Sequence, residues 1–173
     1  MDYHSIYKSW QVDPESFWME AAENIDWAQK PTFALNDSNA PIFEWYTDSY
    51  VNTCFNAVDR HVENGRGDQT AIIYDSPITE KKQHITYAQL LEKTSVLAGA
   101  LTNKGITKGD RVIIYMPIVP EAIVAMLACA RIGAIHSVVF GGFASNELAV
   151  RIDDAKPKTI LAASCGIEPG RII

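Results

Sequence analysis

The chain has 173 residues, of which 47% are hydrophobic and 21% charged, and its formal net charge is −6. That is enough apolar chain for a folded domain burying roughly 70% of its unfolded surface, and too much for intrinsic disorder. Fifteen Lys and Arg against 21 Asp and Glu leave no basic stripe to neutralise phosphates, which argues against a nucleic-acid partner.

Cys54, Cys129 and Cys165 are an odd set spaced too widely for a zinc pair, and each sits in an apolar segment. They read as reduced, buried thiols. The N-terminal run MDYHSIYKSWQVDPESFW lacks the basic start and apolar core of a targeting signal, so a cytoplasmic protein is expected. The apolar stretch from Ile118 to Ala144 is interrupted by Glu121, Arg131 and His136. An arginine at mid-bilayer costs about 2.5 to 3.5 kcal/mol, so this stretch is expected to be buried core and no membrane partner is expected.

In chain order, Asp13 as N-cap and Pro14 at the first helical position open a helix. Phe17, Trp18, Ala21, Ala22 and Ile25 form its apolar face, and Pro31 stops it. The run PTFALNDSNAPIFEWY then suggests an extended arm pinned by large rings. A second helix is expected from about Tyr50 to Glu63, with Val51, Cys54, Phe55, Val58 and Val62 inward. TAIIY, Thr70 to Tyr74, is a strand by composition, and Ser76 to Gln83 reads as a polar turn. Thr86 and Gln89 have capping-box spacing at the head of a helix carrying Leu90, Leu91, Leu97, Ala98 and Leu101, with Gly105 as its stop.

After this the punctuation becomes regular. RVIIYMP is a strand ended by Pro117, a helix runs from Pro120 to Gly133, and AIHSVVF is a second strand. A helix from about Ser145, taken as N-cap, reaches Ala155, and TILAAS closes the series. Apolar strands separated by helices make βαβ units, so the fold class is α/β, a helical and aromatic arm followed by a partial parallel sheet of β-α-β-α-β units.

Ligands bind at the carboxyl ends of such strands. Met116-Pro117, Phe140-Gly141-Gly142-Phe143 and Ser164 to Arg171 reach that edge and should emerge together there. The Gly-Gly pair before a helix has two readings: a site where backbone N–H groups approach a phosphate or a pantetheine-like chain, and a turn that only lets strand and helix pack. Neither G-x-G-x-x-G nor G-x-x-x-x-G-K-[ST] is present. His136, inside an apolar strand, is expected to be a hydrogen-bonded core residue, and Asp153-Asp154 diverge by about 100 degrees on a helix and suit a solvated face. No metal site and no catalytic residue is expected.

The segments PESFWMEAAENIDW, NTCFNAVDRHVENGRGDQTAIIYDS, ITYAQLLEKTSVLAGAL and GDRVIIYMPIVPEAIVAMLACARIGAIHSVVFGGFASNELAVRIDDAKPKTILAASCGIEPGRI resemble the N-terminal part of the acetyl-CoA synthetase family of acyl-adenylate-forming ligases. The SCGIEPGR ending resembles the propionate-activating branch. The resemblance implies an N-terminal arm over residues 1–66 and the start of an AMP-binding domain over 67–173. It also implies a family reaction of a short-chain carboxylate with Mg-ATP and coenzyme A.

The family's phosphate loop, acyl pocket and catalytic lysine correspond to nothing in these residues, so the chain is expected to be an inactive fragment. The alternatives are a stand-alone coenzyme A or nucleotide-binding module, or a structural half needing its complement in trans. The coenzyme A contacts implied by the resemblance are Phe140, Gly141, Gly142, Glu168, Pro169, Gly170 and Arg171, with Arg171 pairing a phosphate and Glu168 standing where the acetate branch has a further arginine. Apolar faces meant for later segments imply self-association.

Overall fold

The structure is a computed structural model, which describes residues 2–140, 144–168 and 171–172. It divides into two compact units, Met1–Asn52 and Thr53–Ile173.

The first unit opens with a helix the sequence reading missed. Helix α1, Tyr3–Val12, is capped by Asp2, whose carboxylate accepts from Ser5 N at 3.1 Å. Its signal is a ring ladder rather than an aliphatic stripe: Tyr3 stacks on Tyr7 at 5.9 Å, and Tyr7 meets Trp10 edge to face at 5.6 Å. Helix α2, Pro14–Ala22, starts as expected, with Asp13 accepting from Ser16 N at 3.0 Å.

Helix α2 ends well before Pro31, and Ile25 lies outside it, partly exposed. The chain turns there because Trp27 Nε1 donates to the Ala22 carbonyl at 2.8 Å, filling one of the last acceptors of the helix. Strand β1, Trp27–Gln29, and two short strands, β2 at Leu35–Asn36 and β3 at Glu44–Trp45, follow; β2 and β3 pair antiparallel.

Tyr50–Val51, expected to begin a helix, instead forms β4, antiparallel to β1, and Val51 is exposed. Asp48 decides this. Its carboxylate accepts from Thr32 N and Thr32 Oγ1 at 2.9 and 2.6 Å, and its carbonyl accepts from Gln29 Nε2 at 2.6 Å, so the chain is clamped extended before Tyr50.

The second unit begins with a wide-turned helical segment, π-type over Phe55–Asp59 and Val62–Arg66, that buries Cys54 and Val58 and turns out at Gly65, φ +77°. Strand β5, Thr70–Ser76, runs two residues beyond the expected TAIIY. Residues 81–83, expected to be turn, instead open strand β6, Lys81–Thr86, antiparallel to β5. Lys81, Lys82, Gln83 and His84 are exposed there, and Lys82 pairs with Asp75 across the hairpin at 2.8 Å, so a polar composition marks a charged edge strand, not a loop. Helix α3, Tyr87–Asn103, carries the full capping box: Gln89 N donates to Thr86 Oγ1 at 3.3 Å and Thr86 N to Gln89 Oε1 at 3.0 Å.

The α/β body matches the expected series: β7 at Arg111–Met116, α4 at Pro120–Ile132, β8 at Ile135–Phe140, α5 at Ser145–Ala155 and β9 at Thr159–Ala162. One detail differs, since Ala144 rather than Ser145 is the N-cap of α5, with no side-chain cap bond. The three strands are parallel in the order β8-β7-β9, with Met116 opposite Phe140 and Tyr115 opposite Ala162. Val112, Ile113 and Ile114 in the central strand are fully buried, Val112 packing with Ala98, Leu101, Ala128 and Cys129 of α3 and α4. Among the described residues no helix is long and apolar enough to cross a membrane.

A polar clip closes the amino-end edge of the sheet. Asp110 Oδ2 accepts from Thr107 N at 2.7 Å, Thr107 Oγ1 at 2.9 Å and Lys158 Nζ at 2.9 Å, and Lys158 Nζ also donates to the Gly105 carbonyl at 2.6 Å. The Lys158 ammonium and the Thr107 donors hold the Asp110 carboxyl at about 2, below the usual 3.8. A depressed carboxylate stabilises the fold above its unfolded value and loses that contribution as pH falls through the folded one. Urea midpoints of the wild-type chain should therefore fall between about pH 4 and pH 2 by more than those of Asp110→Asn, which should be the weaker protein at neutral pH. Parallel pH profiles for the two would contradict this.

Candidate functional site

The chain topology puts a crevice in a definite place. The β7-α4-β8 unit steps to one side of β7, whereas β8-α5-β9 crosses back to its other side, so the strand order reverses between β7 and β9. The carboxyl ends flanking such a reversal are where open α/β sheets bind ligands.

A cavity of 630 Å³ lies there, lined by Met116 to Val119 beyond β7, by Ala162 to Cys165 at the end of β9, and by Tyr74, Ser76, Ile78 and Thr79 from the β5-β6 hairpin. Glu121, in the first turn of α4, contributes a carboxylate, and among the described residues the lining holds no Lys, Arg or His. Thr79 Oγ1 is a buried hydroxyl oxygen with no partner among the described residues. The wall is therefore apolar with a few oriented oxygens, suited to an extended, mostly uncharged group such as an acyl or alkyl amide chain. Sequence reasoning found the strand ends but missed Tyr74, Thr79 and Glu121. Tyr74 and Thr79 are brought here by the register of β6 on β5, which carries the hairpin turn to this edge, and Glu121 by its place in the first turn of α4 directly after Pro120.

Of the site residues expected from the sequence, Gly141, Gly142, Pro169 and Gly170 lie outside the described residues, and for Phe140, Glu168 and Arg171 only the backbone is described. Phe140 ends β8 at the carboxyl edge. Glu168 and Arg171 face each other in a short antiparallel pair, β10 at Ile167–Glu168 and β11 at Arg171–Ile172.

The expectation that the Phe140 and Ser164–Arg171 segments emerge side by side is corrected in one respect. The strands they follow, β8 and β9, flank β7 on opposite sides, so the two exits are separated by about 10 Å, two strand spacings.

Three further readings are settled by burial. His136 is exposed on the edge strand β8 rather than held in the core. Cys54 and Cys129 are buried, and burial pushes the thiols up, Cys129 to about 11, so neither is a nucleophile at neutral pH. Cys165 is only half-buried, because it sits beyond β9 on the cavity wall and not inside an element. Asp153 and Asp154 are both exposed, as expected. Among the described residues no group of His, Cys, Asp and Glu could hold a metal ion.

Comparison with known proteins agrees with this architecture. Residues 58–170 match the AMP-binding enzyme family and residues 3–57 the acetyl-coenzyme A synthetase N-terminus. Over 170 residues, 98% of this chain, it is 55% identical to acyl-CoA synthetase short-chain family member 3, mitochondrial, of Bos taurus, and 54% identical to the protein of that name in Homo sapiens. It is 47% identical over 165 residues, 95% of the chain, to acetyl-coenzyme A synthetase of Streptomyces avermitilis. The chain covers 25% of the length of each of these relatives. With the family model spanning residues 58–170, the chain belongs to the AMP-binding enzymes, and the acetyl-coenzyme A synthetase N-terminus precedes that segment.

Proposed function

We propose that this chain is the N-terminal part of a short-chain acid:CoA ligase of the propionate-activating kind. In that reaction a carboxylate oxygen attacks the α-phosphorus of Mg-bound ATP and pyrophosphate leaves. The coenzyme A sulfur then attacks the acyl carbon of the adenylate and AMP leaves. The observation that carries the reading is the crevice at the β7/β9 reversal, a 630 Å³ cavity with an apolar wall, at the strand edge that also carries Phe140 and the segment leading to Arg171. In this reading Phe140, Gly141 and Gly142 offer backbone donors to coenzyme A, and Glu168 to Arg171 present one guanidinium to a nucleotide phosphate.

The same cavity limits what the chain does alone. Charge developing on a transferred phosphoryl group must be met by positioned cations, and among the described residues this lining contains none. Adenylation therefore needs groups outside these residues. The purified chain should show no propionate-dependent ATP–pyrophosphate exchange. It should bind coenzyme A no tighter than about millimolar, a single exposed arginine–phosphate contact being worth about 1 kcal/mol, and Arg171→Ala should abolish that binding. Exchange above background would overturn the dependence on further residues. Binding that survives Arg171→Ala unchanged would overturn the assignment of the coenzyme A contacts.

A further inference from the structure

The first unit contains a cavity of its own, remote in sequence from every residue discussed as a ligand contact. It has a volume of 520 Å³, and three of the four tryptophans of the chain, Trp10, Trp18 and Trp45, stand on its wall with Glu15, Asp37 and Leu35. None of the three indoles is buried: Trp10 is 36%, Trp18 38% and Trp45 49% exposed. The fourth, Trp27, is half-buried, with its Nε1 bonded to the Ala22 carbonyl.

The rings are held in set orientations. Trp18 and Trp45 meet at 78° with centroids 5.5 Å apart, giving two walls at nearly right angles. Trp18 is fixed from behind by Phe17 at 88° and 5.1 Å, and Trp10 by Tyr7 at 86°. Tyr46, beside Trp45, donates its hydroxyl to the Trp18 carbonyl at 2.9 Å, tying the β3 end of the arm to α2.

Charge decides what such a cavity accepts. Among the described residues both titratable groups of the lining are carboxylates, and none is Lys, Arg or His. Glu15 is anchored by Ala34 N, which donates to its Oε1 at 2.6 Å, and its negative charge adds to burial in raising the Tyr46 hydroxyl above its ordinary range. A ring face carries negative electrostatic potential, so perpendicular indoles with two acids attract an ammonium cation and gain little from a neutral group of the same shape.

We propose that the Trp10–Trp18–Trp45 cavity is a binding site for an organic cation, an alkylated ammonium or the ammonium of a lysine side chain. Nothing in the ligase reading uses this cavity, and the proposal does not depend on that reading.

The test follows the indole N–H resonances of the 173-residue chain during titration with choline, with Nα-acetyl-lysine amide, and with 3,3-dimethylbutan-1-ol, the neutral isostere of choline. Saturable shifts of the Trp10, Trp18 and Trp45 indoles in the millimolar range are expected from at least one cation, with Trp27 unmoved and the alcohol without effect. Choline as the tighter probe points to a small ammonium compound, and the lysine amide as the tighter points to a basic polypeptide segment. Asp37→Asn should weaken binding about two- to fivefold, and Trp45→Leu should abolish it, with an unshifted Trp27 resonance reporting an intact fold in both. Equal shifts from the alcohol, or none from either cation below about 50 mM, would overturn the proposal.

Discussion

Replacing Ile114 by alanine is expected to destabilise the second unit by about 3 to 5 kcal/mol, a large share of the 5 to 15 kcal/mol typical of a whole domain. Ile114 is fully buried in the middle of β7 and packs on Ala122 and Ala125 of α4, with Met116, Val119 and Leu161 around it. Its neighbours decide the size of the effect. The alanines have no longer side chain to swing into the space, and β7 is bonded to a strand on each side, so the backbone cannot close in. A cavity left open in this way sits at the costly end of large-to-small replacements. Val96→Ala on the solvent face of α3, where the side chain is 69% exposed, should change stability by less than about 0.5 kcal/mol. A urea-derived loss below about 1 kcal/mol for Ile114→Ala would show that the sheet relaxes where the packing says it cannot.

The second large effect is electrostatic. Arg131, in the last turn of α4, donates to Asp59 of the wide-turned segment at 2.6 Å, and the two side chains are only 25% and 16% exposed. Asp59→Ala should cost about 2 to 3 kcal/mol, because it leaves a guanidinium largely out of water without its carboxylate. The cost resides in the stranded charge rather than in the bond. The double variant Asp59→Ala/Arg131→Met should therefore be more stable than Asp59→Ala alone, and a double variant at or below the single in thermal midpoint would refute this.

Where a single residue type forces the backbone, the fold was legible in the sequence. The capping box at Thr86 and Gln89, the Asp13-Pro14 start of α2, the Pro120 start of α4 and its left-handed end at Gly133 are local signals that tertiary structure had no reason to override. The three apolar strands were legible because each is a β-branched run too short and too bounded to be a helix. What failed was set at a distance. Tyr50–Val51 became strand through Asp48 and its bonds to Thr32 and Gln29, and residues 81–83 became strand because β5 supplied a partner. Helix α1 is built on ring-to-ring contacts, which aliphatic periodicity does not count. For the candidate site, sequence order identified which strand ends share an edge, but not that β9 would lie on the far side of β7 from β8.

That crossing also sets the order in which the unit can assemble. Val112 pairs with His136 on one side and with Thr159 on the other, and the second partner is about twice as far along the chain. Closing the longer loop costs more chain entropy, and it is rewarded only once β7, α4 and β8 already present a surface. On a ribosome the difference is sharper still, because the first ladder can zip while Thr159 is still unsynthesised. Ala162 to Cys165 follow Thr159, so the crevice wall they complete does not exist in a chain made only as far as β8.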